Sequence, residues 1–345
     1  MSDIGVTQGA PLARRRRVPR ARSVAVAVAL LVVIALLLVV ALAMGDYPLT
    51  VVDVFDALVG RAEGLVSTVV LDWRLPRAAA AAAFGAALGV AGAIFQTIAR
   101  NPLASPDVIG LAHGSFTGMI VALLFLGGSW PLLIGGSLIG GIVTALVVAL
   151  LTARDGFRSF RFIVIGIGVS AMLAALNSWL LLRAELETAL FAAAWGAGSL
   201  NAVSSDTAWP AILCIAIVLF AVPPVARSMR QLELGDDVAL ATGVAVGRTR
   251  ILVIGIAVTL VSVVTAIAGP VAFVALSAPQ IARRLTGSAS IPLVVSALTA
   301  AMLLLGADIV AQHVIPLTVP VGIVTVVLGG GYLVWLLARE MRPSS

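Results

Sequence analysis

Long apolar runs recur along this chain with short polar breaks between them. Each is near the roughly 20 residues that a helix needs to cross a bilayer. In lipid every backbone group must be satisfied internally, so such runs fold as bundled helices; they are too long and too uniform for barrel strands. The pattern predicts an all-α polytopic membrane protein with about ten spans. Composition agrees, with 61% of the 345 residues hydrophobic and 11% charged, against about a quarter charged in soluble domains.

Residues 1–22 read as a polar tail crowded with Arg14, Arg15, Arg16, Arg17, Arg20 and Arg22, followed by one transmembrane domain over 23–345. The first helix, Ser23 to Met44, is read as retained, because a signal peptide's apolar core is only about 7–15 residues. Residues 46–77 are placed outside. Spans follow at about 78–98, 108–126, 130–152 and 162–182, with Asp107 placed to cap the third helix. Residues 188–209 read as a half-inserted helix and loop. The remaining spans fall at about 210–225, 251–268, 271–284, 291–310 and 321–338. Both termini are then cytoplasmic, and of the 22 arginines only Arg61, Arg74, Arg77 and Arg183 lie outside. That asymmetry accounts for the net charge of +6 without nucleic acid.

The longest polar interruption after residue 75 is Arg227 to Arg250, with four arginines (Arg227, Arg230, Arg248, Arg250) and three acids (Glu233, Asp236, Asp237). It reads either as a solvated loop or as two short helices joined near Gly243. In the second reading Leu232, Leu234, Val238, Leu240 and Ala241 form an apolar side. The chain has no lysine, so it cannot contain a phosphate-binding P-loop. Any ATP and Mg²⁺ used must sit on another polypeptide. Cys214 is alone, which excludes an intrachain disulfide. His113 and His313 are far apart, and no Cys, His and carboxylate cluster has metal-ligand spacing. Gly85, Gly89 and Gly92 lie at spacings that let helices approach closely. Gly166, Gly168, Ser170, Asn177 and Ser178 give the fifth helix a small, partly polar surface. Asn177 is costly in lipid and should face a cavity or another helix, through a packing hydrogen bond or a substrate contact.

At Gly85 to Ser115 the chain resembles a known family. GAALGVAGAIFQTIARNPLASPDVIGLAHGS is similar to the signature of the FecCD-type permeases, membrane subunits of ABC importers. LGDDVALATGV, GPVAFVALSAPQIARRL, LGADIVAQ and VPVGIVTVVLGG match in order, as does RLPR at Arg74 to Arg77. The matched signature positions include Gln96, Asn101, Pro102, Pro106, Gly110, Gly114, Pro270, Pro279, Arg283, Asp308, Pro320 and Gly322. The resemblance implies a cobalamin-importer-like, type II ABC importer fold in the cytoplasmic membrane of a bacterium. It also implies a second permease subunit, two cytoplasmic ATPase subunits and an extracytoplasmic substrate-binding protein. The implied cargo is an iron(III)–siderophore complex, with haem or cobalamin as the alternative.

By the same resemblance Leu234, Gly235, Asp236, Asp237, Ala239 and Gly243 belong to the element that couples to the ATPase. Capping is the other role open to the two aspartates. Arg74 and Arg77 would meet acidic groups of the binding protein, or else anchor the second helix. The family's pore is lined by the fifth and tenth helices, here with Gly166, Ser170 and Asn177, and its gate falls at Arg158, Ser159 and Phe160. Asp308 is expected to make a structural hydrogen bond. Gln312, Val319 and Gln280 depart from the family pattern of Arg, Glu and His. An ion-coupled secondary transporter is the competing class, and would place carboxylates or broken helices at mid-membrane.

Overall fold

The computed structural model describes residues 20–107, 110–153, 159–315 and 319–340. The Arg-rich tail before residue 20 and the gate residue Arg158 lie outside the described residues. Helix α1 (Arg20–Ala43) is a peripheral span, and α2 (Val51–Leu58) follows it. A reciprocal pair of bonds between Thr50 and Asp53 starts α2 and holds the Asp53 carboxyl below the usual carboxylate range. Next, α3 (Leu65–Ser67) runs through a π-helical stretch, Thr68–Arg74, into α4 (Leu75–Ala99). The second span therefore starts thirteen residues earlier than its apolar run predicts, forming one helix over Leu65–Ala99. Of the charged groups in this stretch, Arg74 and Arg77 are bonded to neighbouring elements, as described below, while Asp72 is exposed.

Beyond α4 come α5 (Leu111–Phe125), α6 (Trp130–Ala153), α7 (Ser159–Arg183), α8 (Leu186–Gly196) and α9 (Ser205–Phe220). Helix α10 (Val222–Glu233) continues α9 with a bend of 53°. Then follow α11 (Asp236–Ala241), α12 (Val246–Ala268), α13 (Val274–Thr286), α14 (Leu293–His313) and α15 (Val321–Glu340). Among the described residues, six helices are long and apolar enough to cross a membrane, and the bent α9–α10 pair makes a seventh if it is one span. The other three expected crossings fall on α5, α13 and α15.

Residues 188–209 resolve into α8, a loop, and the start of α9. Helix α9 begins five residues before Pro210, because Ser204 and Thr207 form a capping box ahead of it. Asp107 does not cap α5: that helix starts at Leu111 behind Gly110, whose φ of 84° suits glycine. Both α5 and α13 begin inside the bundle. Gly110 abuts Ser170 midway along α7, and Phe273, which precedes α13 with φ 67°, abuts Gly329 midway along α15.

Helix α4 is the centre of the bundle, touching α9, α10, α12, α13 and α14. Its glycines set the distances. A Cβ on Gly85 or Gly89 would strike the α14 backbone at Ala300 or Ser296, and one on Gly92 the Ala275 carbonyl of α13. Gly114 and Gly118 similarly seat α5 against Gly140 and Gly136 of α6. Without a hydrophobic force between helices in lipid, this backbone-to-backbone approach is the main source of packing energy.

Candidate coupling and translocation site

The polar interruption folds as two helices, α10 and α11, but their joint is at Gly235, not at Gly243. Gly235 has φ 122° and ψ 153°, a conformation that only glycine holds without strain. Gly243 (φ 82°) ends α11 instead. Its N–H bonds the Leu240 carbonyl and the Val244 N–H bonds that of Ala239, a Schellman closure that releases the chain into α12. The expected apolar side divides. Only Leu232 of that set is buried in the bundle, beside Ala239, whereas Leu234, Val238, Leu240 and Ala241 stand exposed.

Asp236 and Asp237 occupy the first turn of α11, as the sequence predicts, where the helix dipole favours acids. Their surroundings differ. Asp237 is exposed, while Asp236 accepts from Arg100 at 2.5 Å and from Arg250 at 3.0 and 3.2 Å. Arg100 also donates through Nε to the Leu232 carbonyl. Glu233 accepts from the Thr97 hydroxyl and the Ile291 N–H. Sequence reasoning assigned no role to Arg100, Thr97 or Glu233. The available signal was an arginine at the end of an apolar helix, just before Asn101-Pro102.

One turn before Arg100, Gln96 donates to the Leu276 carbonyl and accepts from Gln280 at 2.6 Å, within the protein interior. Gln280 therefore supplies a neutral N–H donor where the family pattern has a histidine, and α4 stays bonded to α13. Asn101 turns the chain by accepting the Leu103 N–H, with Pro102 exposed and Pro106 buried beyond it. Asp107 then takes the Ser105 hydroxyl, and its carboxyl lies toward the Phe273 backbone N–H at the N-terminal end of α13.

A cavity of about 550 Å³ opens beside Asp107, walled by His113, Asn177, Pro270 and Val327 among others. It lies against α7 and α15, the two helices on which the family resemblance places the pore. Asn177 lines it, yet its side chain accepts from Thr117 and donates to the His113 carbonyl, so it also ties α7 to α5. Ser170 and Gly166 do not line this cavity: Ser170 meets Gly110 and Gly166 is buried. Ser159 and Phe160 are described only as the start of α7. At the rim, three glycines meet where the loop after α8 crosses the end of α12 and the start of α15. Gly322 donates to the Gly198 carbonyl, and a Cβ on Gly198, Gly269 or Gly322 would strike backbone. Gly322 thus stands where a side chain would meet backbone, and Pro270 contributes its carbonyl to the same contact. Pro320 precedes α15, Pro279 lies inside α13, and Arg283 is exposed in its last turn.

At the end opposite the elbow, Arg74 donates to the carbonyls of Leu42, Ala43 and Tyr47, capping the C-terminus of α1. Arg77 forks onto both oxygens of buried Asp308 and onto Asn201. Gln312 donates to the same carboxylate at 2.6 Å. Asp308 thus makes several structural bonds, and Gln312 is an internal donor. Among the described residues, no three or more His, Cys, Asp or Glu side chains are grouped to hold a metal ion.

A helical bundle with two interior helix starts, a bent elbow at one end and a side-opening cavity defines a permease of the type II ABC importer fold. A metal-chelate type ABC transporter solved in an inward-facing conformation superposes with TM-score 0.82. The match covers 91% of this chain and 99% of that one at 26% identity. The chain belongs to the FecCD transport family, whose model matches residues 30–339. It is 49% identical to the ferric enterobactin transport system permease protein FepG of Escherichia coli over 87% of this chain and 92% of that protein. To FepD of the same organism, named for the same transport system, it is 33% identical over 87% and 91%. The interior helix starts, expected of a secondary transporter, therefore belong to this family's fold.

Proposed function

We propose that this chain is a permease subunit that carries an iron(III)–siderophore complex inward across the cytoplasmic membrane of a bacterium. Alternating access would be driven by ATP and Mg²⁺ on two separate ATPase subunits, with an extracytoplasmic binding protein delivering the cargo. The observation that carries this reading is the likeness to FepG along nearly the full length of both chains. The higher identity to FepG than to FepD, two permeases named for one system, favours a heterodimer with a FepD-like partner. Both termini lie in the cytoplasm in this reading, and residues 23–345 act as one transmembrane domain.

The elbow fits an ATPase cleft because Leu234, Val238 and Leu240 are exposed around the free carboxylate of Asp237. Asp236 is engaged by Arg100 and Arg250, so Asp237 is the acid available to a partner. Arg74 and Arg77 serve binding-protein docking by fixing the outer ends of α1 and α14. Arg77, 19% exposed, keeps an edge for an acidic group.

Uptake of radio-iron tests the cargo. Cells expressing this chain with its partner, ATPase and binding protein should accumulate iron from a catecholate siderophore, and Asp237→Arg should lower uptake roughly tenfold. Uptake of haem or cobalamin, with none of ferric siderophore, would refute the cargo assignment.

A further inference from the structure

We infer that Arg100 is the positioning residue that makes the elbow and α4 move as one body, so that a push on α10–α11 reaches the cavity wall. The inference rests on the coupling role proposed above. Arg100 ends α4 in the left-handed region (φ 48°). Its Nε bonds the Leu232 carbonyl in the last turn of α10, and its other guanidinium nitrogen bonds Asp236 in the first turn of α11. One planar side chain therefore spans Gly235, the residue that makes the bend. The fork does this with fixed geometry, whereas a lysine ammonium offers a single point of charge. Arg250 pins the same carboxylate from α12, and Glu233 pins the end of α10 to Thr97 on the last turn of α4.

From there the links run inward without a gap. Gln96, one turn back along α4, holds the Leu276 carbonyl and Gln280 of α13. The first residue before α13, Phe273, presents its backbone N–H toward Asp107, which lines the cavity. Helices are stiff between these fixed points, so displacement at the elbow shifts α4 and α13 together. A partner can bias the cavity only through a contact that differs between its states, and Arg100 places that contact in rigid register with the wall.

The test uses the complete complex in lipid nanodiscs or proteoliposomes, measuring cargo moved per ATP hydrolysed. Arg100→Gln should retain the ATPase subunits and hydrolyse ATP, yet move roughly tenfold less cargo per ATP. Arg100→Lys should show a smaller loss in the same direction, and it decides the matter if Arg100→Gln fails to insert. Combining Arg100→Gln with Asp236→Asn should lose less than the sum of the two single losses, because the two share one contact, although Asp236→Asn also releases Arg250. A lower yield with unchanged cargo per ATP, or an additive double variant, would overturn the inference. Failure of the unaltered complex to retain any ATPase would instead overturn the coupling reading, and this inference with it.

Discussion

Gly92→Val is expected to abolish the folded permease. The new Cβ would drive into the Ala275 carbonyl, which is backbone of α13 and cannot rotate away. Overpacking a core usually costs about 1–3 kcal/mol, and more where nothing can yield. Here the clash sits between the two helices that Gln96 and Gln280 also join, so separating them breaks two buried hydrogen bonds as well. Gly168→Val is the control, since a Cβ there meets nothing within 4 Å. Size-exclusion profiles in detergent should show Gly168→Val as a single symmetrical species and Gly92→Val as aggregate. Equal profiles would mean that α4 and α13 do not approach as closely as described.

The second large effect is expected at Asp308. Its carboxylate is 2% exposed and receives Arg77, with Gln312 bonded to one of its oxygens. Removing one partner from a buried ion pair costs about 3–5 kcal/mol, because the other charge is left without compensation. Arg77 keeps some contact with solvent, so the lower end of that range applies to Asp308→Ala. Arg77→Met combined with Asp308→Leu should recover much of the loss, since neither charge is then stranded. Thermal unfolding in detergent reads both variants. A single variant as stable as the parent, or a double variant worse than either single, would remove the pair from the architecture.

The class of fold was legible because it depends on local patterns. Apolar length gives membrane-spanning helices, and ordered blocks from Arg74 onward point to the family. The acids at the start of α11 and the small-residue seams at Gly85, Gly89 and Gly92 were legible for the same reason. What the pattern could not supply was the identity of distant partners. Asp107 lies near α5 in sequence, yet its carboxyl lies toward the start of α13 at Phe273. Arg74 and Arg77 read as outer arginines that dock the binding protein or anchor the second helix, but the partners of Arg74 include the end of α1 and Arg77 bonds Asp308, 231 positions away. Gly235 and Gly243 are both plausible turn residues, and only the backbone angles separate the bend from the helix stop. The stretch 65–77 resembled a loop because the groups that satisfy Arg74 and Arg77 are supplied by other elements.

The account turns on the side of the membrane that α11 faces and on what covers it. With Cys214→Ser as background, a single cysteine in place of exposed Val238 can be labelled by a membrane-impermeant maleimide. The expected result is labelling in inside-out vesicles stripped of ATPase, protection when the ATPase is restored, and none in intact spheroplasts. Labelling in intact spheroplasts would put the elbow outside and contradict the account.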